Sequence, residues 1–146
     1  MGEEFQIFIK EYDGLTGTMD VKKRVLLVED DESHIILGRL LLERLGYYVH
    51  TCTSGEEAIG VFSKEPEDFY FIITDYTMAP MDGLELAGEL LKINPSAIVL
   101  VCSGRDDPDL IQSALKIGVR NMVLKPSNLL ELEDLLISTG LHQPSD

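Results

Sequence analysis

A chain of 146 residues fits one domain that buries roughly two thirds of its unfolded surface in a single core. Its 12 Lys and Arg against 26 Asp and Glu leave a net charge of −14, a field that repels phosphate backbones and anionic lipid heads and so argues against direct nucleic-acid binding. No apolar run approaches the roughly 18 residues of a membrane span and the start is acidic, so the expectation is a soluble cytoplasmic protein with neither membrane segment nor signal peptide.

Residues 1 to 20 differ in pattern from the rest of the chain. Phe5, Ile7 and Ile9 alternate with Gln6, Phe8 and Lys10, a period-two pattern that suits a strand, and Tyr12 to Asp20 is rich in Gly, Thr and Asp, which suits a linker. A loosely ordered N-terminal extension is the competing reading. From Val21 onward, strand-like and helix-like stretches alternate as repeated βα units. Arg24–Glu29 is read as the first strand, and a helix over Ser33–Leu45 follows with Ile36, Leu37, Leu40, Leu41 and Leu45 as its apolar stripe, ended by Gly46. Tyr47–Thr53 is the second strand, with Ser54 capping a helix to about Lys64 whose Ala58, Ile59 and Phe62 face the sheet. Phe69–Asp75 is the third strand, with the run Phe71, Ile72, Ile73 apolar throughout, as expected of a strand buried on both faces. A helix over Leu84–Ile93 follows it.

Ala97–Cys102 is the fourth strand, and the next helix starts near Pro108 after Asp106 and Asp107 and ends before Gly118. Val119–Leu124 is the fifth strand, and Ser127 is expected to cap a last helix carrying Leu129, Leu132, Leu135 and Leu136. The fold class is therefore α/β: a doubly wound, five-stranded parallel sheet, flavodoxin-like, in the order 2-1-3-4-5 with helices on both faces. Cys52 and Cys102 each sit in an apolar strand-like run and are read as buried free thiols, not a disulfide.

That topology brings the ends of the first, third, fourth and fifth strands to one edge. There the sequence places Glu29 with Asp30, then Asp75, Ser103 and Lys125. Taken singly, these read as a helix-entrance acidic run, turn residues and a surface charge. Three carboxylates, a hydroxyl and a lysine at converging strand ends read jointly as a site. His34, His50 and His142 show no metal-ligand spacing and are assigned no role.

The runs VLLVEDDES (Val25–Ser33), TDYTMAPMDG (Thr74–Gly83), VCSG (Val101–Gly104) and LKP (Leu124–Pro126) make residues 21 to 140 resemble the receiver domain of two-component response regulators. The resemblance is chemotaxis-regulator-like, and the receiver of a hybrid histidine kinase is an alternative source, since residues 5 to 10 also faintly resemble the closing strand of a kinase ATP-binding domain. Residues 1–20 are then an extension or linker and 141–146 a tail. The resemblance implies that Asp75 takes a phosphoryl group from a phosphohistidine, with Mg²⁺ held by Glu29, Asp30, Asp75 and the carbonyl of Thr77. It also implies that Lys125 and Ser103 contact the phosphoryl oxygens, and that Lys125–Pro126 is a cis peptide.

Oxygen ligands suit Mg²⁺, and three crowded carboxylates want a cation. Two departures stand out. Met78-Ala79-Pro80 moves the usual proline by one place, and Met122 stands three residues before Lys125, where the family carries a rotating aromatic ring. Arg105, with Thr77, is expected to tune the access of water.

The expected partners are a sensor histidine kinase or phosphotransfer protein and a downstream target protein. The fourth helix, fifth strand and fifth helix offer a surface for the target or for a homodimer, with Leu130 and Ile137 off the main apolar stripe. Only 20 residues follow Pro126, so no output domain is expected on this chain. The chain is read as a signalling module rather than a turnover enzyme. Two alternatives are a non-phosphorylated adaptor, favoured by Met122, and an aspartyl-phosphate hydrolase, disfavoured because Thr77 stands where that class wants a second Asp.

Overall fold

The computed structural model describes residues 8–13, 18–104, 107–119 and 121–144, with side chains from residue 22 onward. Strand β1 (Phe8–Asp13) is followed by β2 (Thr18–Val28), α1 (Glu32–Arg44), β3 (Tyr48–Cys52), α2 (Gly55–Lys64) and β4 (Phe71–Asp75). Then come α3 (Gly83–Ile93), β5 (Val99–Ser103), α4 (Pro108–Lys116), β6 (Asn121–Leu124) and α5 (Leu129–Ser138).

The parallel sheet runs β3-β2-β4-β5-β6, which is the expected 2-1-3-4-5 order of the βα units. Apolar runs buried on both faces explain it: β5 is buried at every residue and β4 at all but Asp75. Two cores result. On one face Leu26, Ile72 and Val101 pack with Phe62 of α2 and Leu86 and Leu90 of α3. On the other, Val25, Leu27, Phe71, Ile73 and Leu100 pack with Leu42 of α1 and Leu132 and Leu136 of α5.

Strand β2 is longer than its apolar run suggests. Its second half, Arg24–Val28, joins the parallel sheet, whereas its first half pairs antiparallel with β1, from Phe8 opposite Lys23 to Asp13 opposite Thr18. The strand expected at Phe5–Lys10 is thus found at Phe8–Asp13, with residues 5–7 outside the described ones. Tyr12, Asp13 and Thr18–Asp20, read as linker, are strand because each finds a ladder partner.

Helix caps follow local side-chain chemistry. Ser54 accepts from the Glu57 amide at 3.1 Å, and Asp82 and Glu85 form a reciprocal capping box at the start of α3. For α5 the cap is Asn128, not Ser127: the Asn128 side chain accepts from the Glu131 amide at 2.9 Å, while Ser127 donates to the Glu131 carboxylate.

The stripe expected on α1 is also corrected. Ile36, Leu37 and Leu40 are 63%, 42% and 51% exposed, and the buried residue is Leu42. The helix turns Gly38 to the sheet, where a Cβ would lie 3.1 Å from Leu27, so the inward face runs through Gly38, Leu41, Leu42 and Leu45. Both cysteines are buried free thiols, as expected. No helix among the described residues is long and apolar enough to cross a membrane.

Candidate functional site

The sheet positions the site by continuing its hydrogen-bond ladder one residue beyond each strand. The Glu29 amide donates to the Cys52 carbonyl at 3.0 Å, Tyr76 to Cys102 at 2.8 Å, and Lys125 to Ser103 at 2.8 Å. Residues just past a strand end are therefore held as rigidly as those within it. The loop after β4 is pinned from behind by Gly83, whose amide donates to the Tyr76 carbonyl at 2.9 Å. A Cβ on Gly83 would stand 2.2 Å from the Asp75 carbonyl oxygen, so only glycine permits this approach.

Three of the expected side chains meet. The Lys125 ammonium lies 2.9 Å from Glu29 Oε2 and 3.4 Å from Asp75 Oδ2, between two carboxylates that repel each other. Glu29 is only 3% exposed, and its second oxygen, Oε1, is buried without a hydrogen-bond partner. Burial pushes its carboxyl above the ordinary range, partly offset by the Lys125 hydrogen bond. For Lys125, burial disfavours the charge, but Glu29 and Asp75 outweigh it and hold the ammonium above its ordinary value.

Asp30 and Thr77 flank this trio on the same edge, both exposed. Ser103 ends β5 next door, opposite Leu124. Its side chain lines a separate cavity of about 190 Å³ with Met122, Asp107, Leu110 and Ile111. Arg105 lies outside the described residues.

One member escaped sequence reasoning. His34, in the first turn of α1, brings Nδ1 to 3.1 Å from the Lys125 ammonium and 3.6 Å from Glu29 Oε1. The available signal was the helix cap: Asp31 accepts from the His34 amide at 3.1 Å, which fixes the phase of the first turn and turns residue 34 toward the strand ends. These groups open onto a cavity of about 270 Å³ between α1 and α5, walled by Leu27, Leu41, Ile73 and Leu132.

One local expectation is corrected. The cis peptide is at Ala79–Pro80, and Lys125–Pro126 is trans. The lysine is aimed inward by the Lys125 amide bond to Ser103 and by its carboxylate partners. Met78, in the shifted Met78-Ala79-Pro80 run, is buried beside Thr74, so the altered loop keeps an apolar anchor.

Whether a divalent cation suits these residues can be judged from the donors. They are hard oxygens, one of them a buried orphan, and a lysine already stands among them as a positive charge. Among the described residues no group of three His, Cys, Asp or Glu side chains is arranged to hold a metal ion, and the ammonium occupies the space between Glu29 and Asp75. The donor set fits a cation that displaces it.

Comparisons with known proteins bear on the fold and on the family. A family model described as the response regulator receiver domain matches residues 25–137. The chemotaxis protein CheY of Thermotoga maritima is 30% identical over 105 residues, covering 71% of this chain and 86% of that protein. The solved receiver domain protein of Clostridium thermocellum superposes with a TM-score of 0.72 at 26% identity, covering 81% and 93% of the two chains. A response regulator of Burkholderia pseudomallei, solved with a phosphorylated aspartic acid, a calcium ion and citrate, is 30% identical with a TM-score of 0.66, over 76% of this chain and 64% of that one. Other curated relatives are longer, and the chain spans 21% to 44% of two of them.

Proposed function

The chain belongs to the response regulator receiver domain family, which accepts phosphoryl groups in two-component signal transduction, and from that premise we propose that Asp75 is its acceptor. The observation that carries this assignment is the Lys125 ammonium placed between Glu29 and Asp75, beside the unpartnered Glu29 Oε1.

A carboxylate oxygen of Asp75 attacks the phosphorus of a partner's phosphohistidine. The P–N bond breaks, its electron pair returns to the imidazole, and an acyl phosphate remains on Asp75. Glu29, Asp30 and Asp75, with the Thr77 carbonyl, would hold Mg²⁺. When bound, the ion supplies positive charge that screens the carboxylates from the incoming phosphoryl oxygens. Lys125 leaves Glu29 and pairs with a phosphoryl oxygen as a compact point charge. Ser103 donates its hydroxyl to another oxygen, and these contacts bias the loops after β5 and β6. The relative solved with a phosphorylated aspartic acid supports the chemistry.

The receiver unit spans residues 21 to 140, with the β1 hairpin appended and residues 141–146 as a tail whose first residue, Leu141, packs into the core beside Leu136. It works in the cytoplasm with a histidine kinase or phosphotransfer protein and hands the signal to a target protein; slow loss of the phosphoryl group, not turnover, ends it. The target or a second copy docks on α4, β6 and α5, where Leu115, Leu124 and Leu130 are 52%, 61% and 66% exposed. Incubation with Mg²⁺ and acetyl phosphate followed by intact mass tests the assignment. A single labile adduct, lost in Asp75→Asn, is expected. No adduct would leave the adaptor reading, and continuous hydrolysis would leave the hydrolase.

A further inference from the structure

The cavity of about 270 Å³ between α1 and α5 extends well beyond the polar groups at its one end. Its walls are apolar: Leu27 and Ile73 rise from the sheet, Leu41 and Leu42 come from α1, and Leu132 comes from α5. Gly38 lines the α1 side and leaves that stretch of wall without a side chain. A closed cavity of about 150 Å³ with walls of this kind holds benzene, so there is room here for one or two fused rings.

The polar end sets what such a molecule must carry. Glu29 lines the cavity, and its Oε1 is the one buried side-chain oxygen among the described residues without a hydrogen-bond partner. The His34 ring stands 3.6 Å from it, beyond hydrogen-bond reach. That ring is 51% exposed, so it can turn aside and let a donor approach the oxygen. Charge is excluded from both directions. Two carboxylates repel an anion, and the Lys125 ammonium already seated between them repels a second cation. We propose that this cavity binds a small uncharged aromatic molecule of one or two rings, packed between α1 and α5, whose single N–H or O–H group donates to Glu29 Oε1. Asp75 and Lys125 line the same cavity, so an occupant stands against both.

The test is a methyl NMR titration of the unphosphorylated full chain with indole, a two-ring molecule with one N–H. Methyl signals of Leu27, Leu41, Ile73 and Leu132 should shift together through ring currents and saturate, while those of Leu26 and Leu86, in the core on the other face of the sheet, stay in place. N-methylindole keeps the rings and lacks the donor, so it should bind about tenfold more weakly, as loss of a hydrogen bond to a carboxylate implies. Tryptamine and indoleacetate, which add a positive and a negative charge, should each bind more weakly than indole. In Glu29→Met the difference between indole and N-methylindole should vanish.

No saturable shift at the four methyl groups, shifts confined to the exposed Ile36 and Leu40, equal affinity for indole and N-methylindole in the native chain, or a charged analogue that binds more tightly than indole each overturns the proposal. None of these readings requires Asp75 to accept a phosphoryl group, so failure of phosphorylation counts against the acceptor assignment and not against the cavity.

Discussion

Replacing Gly83 by Ala sets two effects of opposite sign against each other. Helix propensity favours Ala by up to about 1 kcal/mol, and by less at the first residue of a helix, where Gly83 stands. Against this, the added Cβ would sit 2.2 Å from the Asp75 carbonyl oxygen and 2.9 Å from both the Asp75 carbonyl carbon and Tyr76 Cα, where heavy atoms ordinarily keep about 3.5 Å. All three obstacles are backbone and cannot rotate away, so the upper end of the usual overpacking penalty of about 1–3 kcal/mol applies.

The net expectation is a loss of about 2 kcal/mol, or roughly 6 °C in Tm for a chain of this size. Phosphorylation should also slow, because the displaced backbone carries Asp75. Gly60→Ala is the control: it lies in α2 with open space where its Cβ would go, so propensity acts alone and Tm should rise by about 2–3 °C. Calorimetry of the two variants side by side decides the matter. A Gly83→Ala protein at or above the native Tm would refute the close-approach reasoning.

Lys125→Met removes the ammonium that a cation must displace, so Mg²⁺ should bind at least about tenfold more tightly, and Tm should rise more on adding Mg²⁺ than it does for the native chain; weaker or unchanged Mg²⁺ binding by calorimetry would contradict the pairing. The Cys52 thiol and the Tyr47 hydroxyl are each pushed up to about 12 by burial. The folded state therefore keeps protons that the unfolded chain releases from about pH 8.5 for the thiol and about pH 10 for the phenol, and stability falls as pH rises through that window. The urea midpoint should be level near neutrality and fall above pH ~8.5, with a shallower slope in Cys52→Ala; a level midpoint up to pH ~10 would remove that linkage.

The architecture was legible because a strand buried on both faces has to be apolar along its whole length, and Phe71–Ile73 and Val99–Cys102 are. The convergence of Glu29, Asp75 and Lys125 followed from strand order alone, since the sheet allows their positions no other neighbours. What stayed hidden depends on angles that composition does not carry. Whether Leu40 or Leu42 faces the core is a matter of helix phase, set by the fit of Gly38 against Leu27. His34 enters the site for the same reason, through the first-turn phase imposed by Asp31. Both Ser127 and Asn128 are chemically competent caps, and only the point where the helix begins selects between them. The hairpin was legible only in part, because its ladder partner, not its composition, makes Thr18–Asp20 a strand.

The double membership of β2 has a practical use. One continuous strand runs from Thr18, at the far end of the hairpin, to Val28, one residue before the buried glutamate. At ~3.3 Å per residue those ends are separated by about 33 Å. A fluorophore attached where Asp13 and Thr18 face each other therefore rides on the same strand as the chemistry, yet stands too far away to touch the arriving phosphoryl group. It is a natural place to mount a reporter that follows the molecule's partners while leaving its reaction alone.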